Sequence, residues 1–192
     1  MEPVANWEQR YKNEDTGWDI GTISTPLKGY FDQLLDKTIK ILIPGCGKGH
    51  EASYLHEHGF TNVFLLDLTP SPLDNFSAQY PNFPENDLII ENFFEHEGHY
   101  DLIVEQTFFC ATDPSHRQAY AKKVHELLLP KGKLIGLLWS VELNDMHPPF
   151  GGSKEEYHDY FDEYFDFVHF GNAFNSIQPR SGRELFLLAE KK

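Results

Sequence analysis

Cysteine is scarce in this chain: Cys46 and Cys110 are the only two. They sit in unrelated contexts, so no disulfide framework is implied and a reducing compartment is expected. Basic residues are scarce as well, with 16 Lys and Arg against 30 Asp and Glu and a formal charge of −14. That balance argues against nucleic acid and against an anionic membrane surface, both of which are held through clustered Lys and Arg. No apolar run approaches the roughly 20 residues that cross a bilayer. Residues 1–4 carry no basic stretch leading into an apolar one, so no secretory signal is read there. Repeats, low-complexity tracts and linkers are missing too. A single cytoplasmic domain over residues 1–192 is expected, with an N-terminal arm (1–36) and a core (37–192). Metal-ligand spacing is also lacking. His56 with His58, and His96 with His99, come without a well-spaced third ligand, so no metal is expected. No Ser-His-Asp or Cys-His arrangement is legible, and Cys110 beside Phe108 and Phe109 reads as a small core residue.

What is present is enough for a core: 40% of residues are hydrophobic and 15% aromatic. The organising stretch is Ile39-Lys40-Ile41-Leu42-Ile43-Pro44-Gly45-Cys46-Gly47-Lys48-Gly49-His50. A β-branched apolar run stops at Pro44, three glycines follow at alternate positions, and a helix-compatible segment begins. A buried strand feeding a glycine turn into a helix N-terminus is how α/β sheets hold nucleotide-like ligands.

The rest of the chain alternates around this turn. Helices are predicted over residues 6–13, from Pro26 with a stripe of Leu27, Tyr30, Phe31, Leu34 and Leu35, over 50–58 with Gly59 beyond its end, and from Ser71-Pro72. Further helices are predicted after the Asp113-Pro114 cap and after Ser153, where Glu156 completes a capping box. Strands are predicted at 38–43, 62–67, 87–91, 100–107, 133–138, 165–170 and 184–190. This alternation predicts an α/β, Rossmann-like fold: a mostly parallel seven-stranded sheet, an antiparallel edge strand, and helices on both faces. Residues 171–183 read as a polar loop.

Two acids stand at predicted strand ends. Asp67 lies about 20 residues beyond the first glycine, the position from which an acid accepts both hydroxyls of a ribose. Glu105 closes the fourth strand, where it either meets a ligand's cationic group or is a solvated strand-end acid. The glycines give G-x-G-x-G, not the G-x-G-x-x-G of dinucleotide sites. That spacing favours S-adenosylmethionine over a nicotinamide dinucleotide. The strand lacks the Asn/Asp-Pro-Pro-aromatic sequence of exocyclic-amine methyltransferases, which disfavours base methylation. Trp7, Tyr11 and Trp18 either staple the arm to the domain or cover a ligand.

Taken in order, Trp7, Tyr11, Trp18-Asp19-x-Gly21, Pro44-Gly45-Cys46-Gly47-Lys48-Gly49, Asp67, Asn92-Phe93-Phe94, Phe108-Phe109-Cys110 and Pro148-Pro149 resemble the thiopurine S-methyltransferase superfamily, nearest its thiol and halide methyltransferase branch. The resemblance covers nearly the whole chain. It implies an S-adenosylmethionine-dependent methyltransferase in which the arm acts as a lid, with Trp7, Tyr11 and Trp18 against the cofactor. It further implies that Gly45 underlies the methionine portion, that Gly47 belongs to the cofactor-binding turn, and that Asp67 holds the ribose. Asn92 and Phe93 would edge the adenine, and Glu105 would contact the cofactor. Asn92 stands where an Asp is common. Gln106 replaces a frequent plant Tyr, and His147-Pro148-Pro149-Phe150 lacks the usual preceding Gly-Gly. The last two departures lie toward the acceptor.

The implied reaction is in-line methyl transfer to a small soft nucleophile: a thiol, halide or metalloid. Such an acceptor is already nucleophilic near neutral pH, so no residue is assigned as catalytic base. Two other readings stay open at this point, a nicotinamide-dependent oxidoreductase and a catalytically silent binding module on the same fold.

Overall fold

The computed structural model describes residues 4–192. Five strands run parallel: β1 (Ile41–Pro44), β2 (Val63–Asp67), β3 (Leu88–Ile90), β4 (Tyr100–Gln106) and β5 (Leu128–Trp139). With β6 (Phe165–Asn172) and β7 (Glu184–Lys191) they form one sheet in the order β3-β2-β1-β4-β5-β7-β6. Every residue of β1 is buried, as the continuous apolar run requires of a strand covered on both faces.

Alternate side chains divide between two cores. On one face α2 (Thr25–Phe31), α3 (His50–Glu57) and α4 (Pro70–Gln79) bring Leu27, Leu55 and Phe76 onto Ile41, Leu65 and Val104. On the other, α5 (Arg117–Leu127) and α6 (Lys154–Phe161) set Tyr120, Val124 and Phe161 against Leu42, Ile103 and Leu134. The arm helix α1 (Val4–Lys12) packs on α4.

Several boundaries differ from the sequence expectation for local reasons. β7 is antiparallel as expected, but it inserts between β5 and β6, so β6 is outermost. α2 stops at Phe31, and Leu35 from its predicted stripe is 93% exposed. There the Asp36 carboxylate accepts from the Thr38 N–H and hydroxyl, closing a turn in place of another helical turn. α4 begins at Pro70 after Thr69, because the Ser71 hydroxyl is committed to Glu8. Asp113 caps a short 3-10 turn ahead of α5. β5 starts at Leu128 and passes through the predicted turn, with Lys131 at φ +67°. Ser153 caps α6 through the Glu156 N–H, but the Glu156 carboxylate pairs with Arg117, leaving the capping box half made.

Candidate active site

The carboxyl ends of the parallel strands open into a cavity of about 670 Å³. One side is made by β1, β2 and the segment after β3. The chain leaves β1 through Gly45 at φ +58°, where a Cβ would lie 2.4 Å from the Phe108 ring. No other residue type fits that backbone position without displacing Phe108. β2 ends at Asp67, 6% exposed, whose Oδ1 accepts from the Thr69 N–H (3.1 Å) and hydroxyl (3.0 Å). Burial raises its carboxyl pKa, opposed by bonds from Thr69 and the Gly47 and Leu68 N–H groups. Asn92 follows β3, and its Oδ1 accepts from the Phe94 N–H at 3.1 Å. Phe93 is buried edge-on to Phe108.

The arm crosses this side. Trp18 meets Trp7 and Tyr11 in T-shaped contacts, with centroids 5.6 and 5.8 Å apart. Tyr11 and Trp18 stand over the glycine turn: a Cβ on Gly47 would be 3.7 Å from Tyr11 Oη and 3.9 Å from Trp18 Nε1. Burial, reinforced by the Asp67 charge, raises the Tyr11 pKa. Three polar ties hold the arm. Glu8 accepts from the Ser71 hydroxyl at 2.6 Å. Asp19 meets Lys48 Nζ and His50 Nε2, each at 2.7 Å. Arg180 donates to the Trp18 carbonyl at 2.8 Å. Burial would raise the Asp19 carboxyl, but bonds from Lys48, the Gly21 N–H and His50 outweigh it and hold it at about 2.

The opposite side belongs to β4, β5 and the approach to β7. Its lining includes Phe108, Cys110, Trp139, Pro148, Pro149, Ile177 and Pro179, with Arg180 and Arg183. Both guanidinium groups lie by the Trp139 ring, Arg180 at 5.3 Å and Arg183 at 5.1 Å. Arg180 is 6% exposed and also pairs with buried Glu184 at 3.1 Å. Burial pushes the Cys110 thiol up to about 12, and its Sγ donates to the Thr107 carbonyl at 3.2 Å. Cys110 is therefore a neutral part of this wall.

Of the residues singled out in the sequence, Trp7, Tyr11, Trp18, Gly45, Asp67, Asn92 and Phe93 all line the cavity, and Gly47 faces the arm from the turn beneath. Glu105 is placed elsewhere. Its carboxylate accepts from the Phe108 and Phe109 N–H groups (2.9 and 2.8 Å) and the Tyr120 hydroxyl (2.6 Å). It braces the turn after β4, where Thr107 is held at φ +61°. Burial raises its pKa to about 7 against those three donors. Neighbouring Gln106 buries its side-chain oxygen without a hydrogen-bond partner among the described residues. Sequence reasoning passed over Asp19, Trp139, Arg180 and Arg183 as site residues. Only Asp19, inside the Trp-Asp-x-Gly segment, carried a local signal. Among the described residues no group of three or more His, Cys, Asp or Glu is arranged to hold a metal, and no helix is long and apolar enough to cross a membrane.

Comparison with known proteins gives a consistent set of relatives. Residues 3–184 match the family model for thiopurine S-methyltransferase. Thiocyanate methyltransferase 1 of Brassica oleracea is 32% identical over 165 residues, covering 81% of this chain and 70% of that protein. Probable thiol methyltransferase 2 of Arabidopsis thaliana is 28% identical over 158 residues, covering 80% and 70%. Among solved structures, the 1,6-didemethyltoxoflavin-N1-methyltransferase of Burkholderia thailandensis, with bound 1,6-didemethyltoxoflavin and S-adenosylhomocysteine, superposes with a TM-score of 0.78. It is 16% identical, over 98% of this chain and 87% of that one, a likeness of fold.

Proposed function

The chain belongs to the thiopurine S-methyltransferase family, and from that premise we propose how its cavity works. The protein is an S-adenosylmethionine-dependent methyltransferase, and its acceptor is a small soft nucleophile, a thiol, halide or metalloid, taken up in anionic form. One observation carries this reading: the cavity joins an aromatic side at the glycine turn, bearing Asp19, Asp67 and the arm's Arg10, to an apolar side bearing Arg180 and Arg183.

The residues fit the cofactor. Gly45 takes the left-handed turn with Phe108 closed against it, Asp67 offers a buried carboxylate to a ribose, and Asn92 with Phe93 supplies an edge and a ring for adenine. Trp7, Tyr11 and Trp18 make the arm a lid over Gly47. Glu105 is left out of the proposed contacts because its bonds are committed to the turn behind the wall. When bound, the cofactor supplies an electrophilic methyl group.

The protein's own part is to position and desolvate. Phe108, Pro148, Pro149 and Ile177 exclude water that would otherwise solvate the anion. Arg180 and Arg183, held at Trp139, attract it and aim it at the cofactor side. Orientation of this kind contributes up to roughly 7–11 kcal/mol in favourable intramolecular cases. No lining side chain is assigned as a base, since the Cys110 thiol is held neutral and Glu105 faces away. The buried, unpaired Cys46 and Cys110 support a cytoplasmic, reducing setting.

The test is headspace mass spectrometry with methyl-labelled S-adenosylmethionine and a panel of thiols, halides, thiocyanate, selenide and tellurite. A labelled methylated product from one acceptor is expected. Tight cofactor binding with no product from any of them would instead indicate a silent binding module.

A further inference from the structure

Arg180 carries a polar tie between the two sides of the cavity. It comes from the loop before β7, lines the wall assigned above to the acceptor, and lies at the Trp139 ring. Its NH1 pairs with Glu184, while its NH2 donates at 2.8 Å to the carbonyl of Trp18, 162 residues away in sequence. Trp18 in turn carries the contacts to Trp7 and Tyr11 over the glycine turn. We propose that Arg180 is a positioning residue that fixes the closed lid from the acceptor side, so that cofactor affinity depends on a residue facing the acceptor.

The fork geometry matters. One guanidinium reaches Glu184 and the Trp18 carbonyl together while keeping its face at Trp139; an ammonium cannot hold both partners in that planar arrangement. The partners are unlike in role. Glu184 is buried on β7 and pairs with Arg180, whereas the Trp18 carbonyl belongs to the arm. An anion arriving beside Arg180 would compete for or reorient the same N–H groups. Acceptor and lid therefore share donors, and linkage makes any such coupling reciprocal. This inference rests on the cofactor-and-acceptor reading of the cavity.

Calorimetry with S-adenosylhomocysteine on the full chain separates the two. Wild type should bind, and Arg180→Lys should bind about tenfold more weakly, as expected for losing a hydrogen bond from a charged donor. Hydrogen exchange on the same complexes should show residues 7–21 losing protection in the variant while residues 63–67 of β2 keep theirs. A merely structural loss would loosen both segments. Arg180→Gln combined with Glu184→Gln removes both members of the buried pair, and should reproduce the weaker binding if Arg180→Lys fails to fold. A folded variant that binds as tightly as wild type, with an equally protected arm, overturns the proposal and leaves the function intact. Failure of wild type to bind overturns the cofactor reading and this inference with it.

Discussion

The two sides of the cavity are built by different means. The side carrying Gly45, Asp67 and Phe93 is made where β1, β2 and β3 end, and its geometry is set by backbone and by short-range bonds such as Thr69 to Asp67. The side carrying Trp139, Pro148, Pro149, Arg180 and Arg183 is assembled from a strand end and two loops far apart in the chain. One side is thus specified locally and the other by topology. A side specified locally can stay constant while the topological side is re-equipped for another acceptor, which accords with function lying in sites grafted onto a shared fold.

Substitutions can break that division or sharpen it. The largest effect is expected at Asp67→Ala, which should weaken S-adenosylhomocysteine binding roughly 100-fold by removing charged hydrogen bonds. Calorimetry reads this directly, and an unchanged affinity would refute the ribose assignment. Gly45→Ala comes next. Its Cβ would collide with Phe108, which stands on the far side of the boundary, so this change should disturb both sides and cost about 2 kcal/mol of stability. Denaturant unfolding measures that cost, and a neutral result would mean Phe108 yields freely. Arg183→Gln should raise the acceptor KM about threefold with S-adenosylhomocysteine affinity unchanged, as for an exposed charge. Steady-state kinetics alongside calorimetry would show whether the sides separate there.

Glu105→Gln should move ligand affinity least. The Glu105 carboxyl sits at about 7 in the folded protein, above the ordinary value near 4.3. Its contribution to stability is therefore full below the unfolded value and is lost as pH rises through about 7. Wild type should lose stability over that window, and Glu105→Gln should flatten the profile. Thermal unfolding from pH 4.5 to 8 reads the slope.

The same division explains what could be read in the sequence. The glycine turn, the acid closing β2 and the aromatic arm are local patterns, and each lines or underlies the cavity. Residues 171–183 read only as polar loop, because nothing local says that β7 will insert beside β5. That insertion is what brings Arg180 and Arg183 to Trp139. Glu105 was legible only in part, for the opposite reason. Its strand-end position was legible, but the side chain turns under the chain to meet two N–H groups and Tyr120. The predicted extension of α2 stops at Phe31, ahead of Asp36, whose side chain offers the backbone a competing turn. Helical spacing alone does not register such competition.

The arm's fastening has a kinetic side. Trp7, Tyr11 and Trp18 belong to neither apolar core, and the arm is held at Glu8, Asp19 and Arg180 by charge-bearing bonds. The Lys48 partner of Asp19 is 53% exposed, within reach of dissolved ions, whose screening length is about 8 Å at physiological strength. Raising the ionic strength should therefore shorten the residence time of spent cofactor while leaving the sheet untouched. Turnover limited by release would then quicken with salt, as in a gate held by latches of charge.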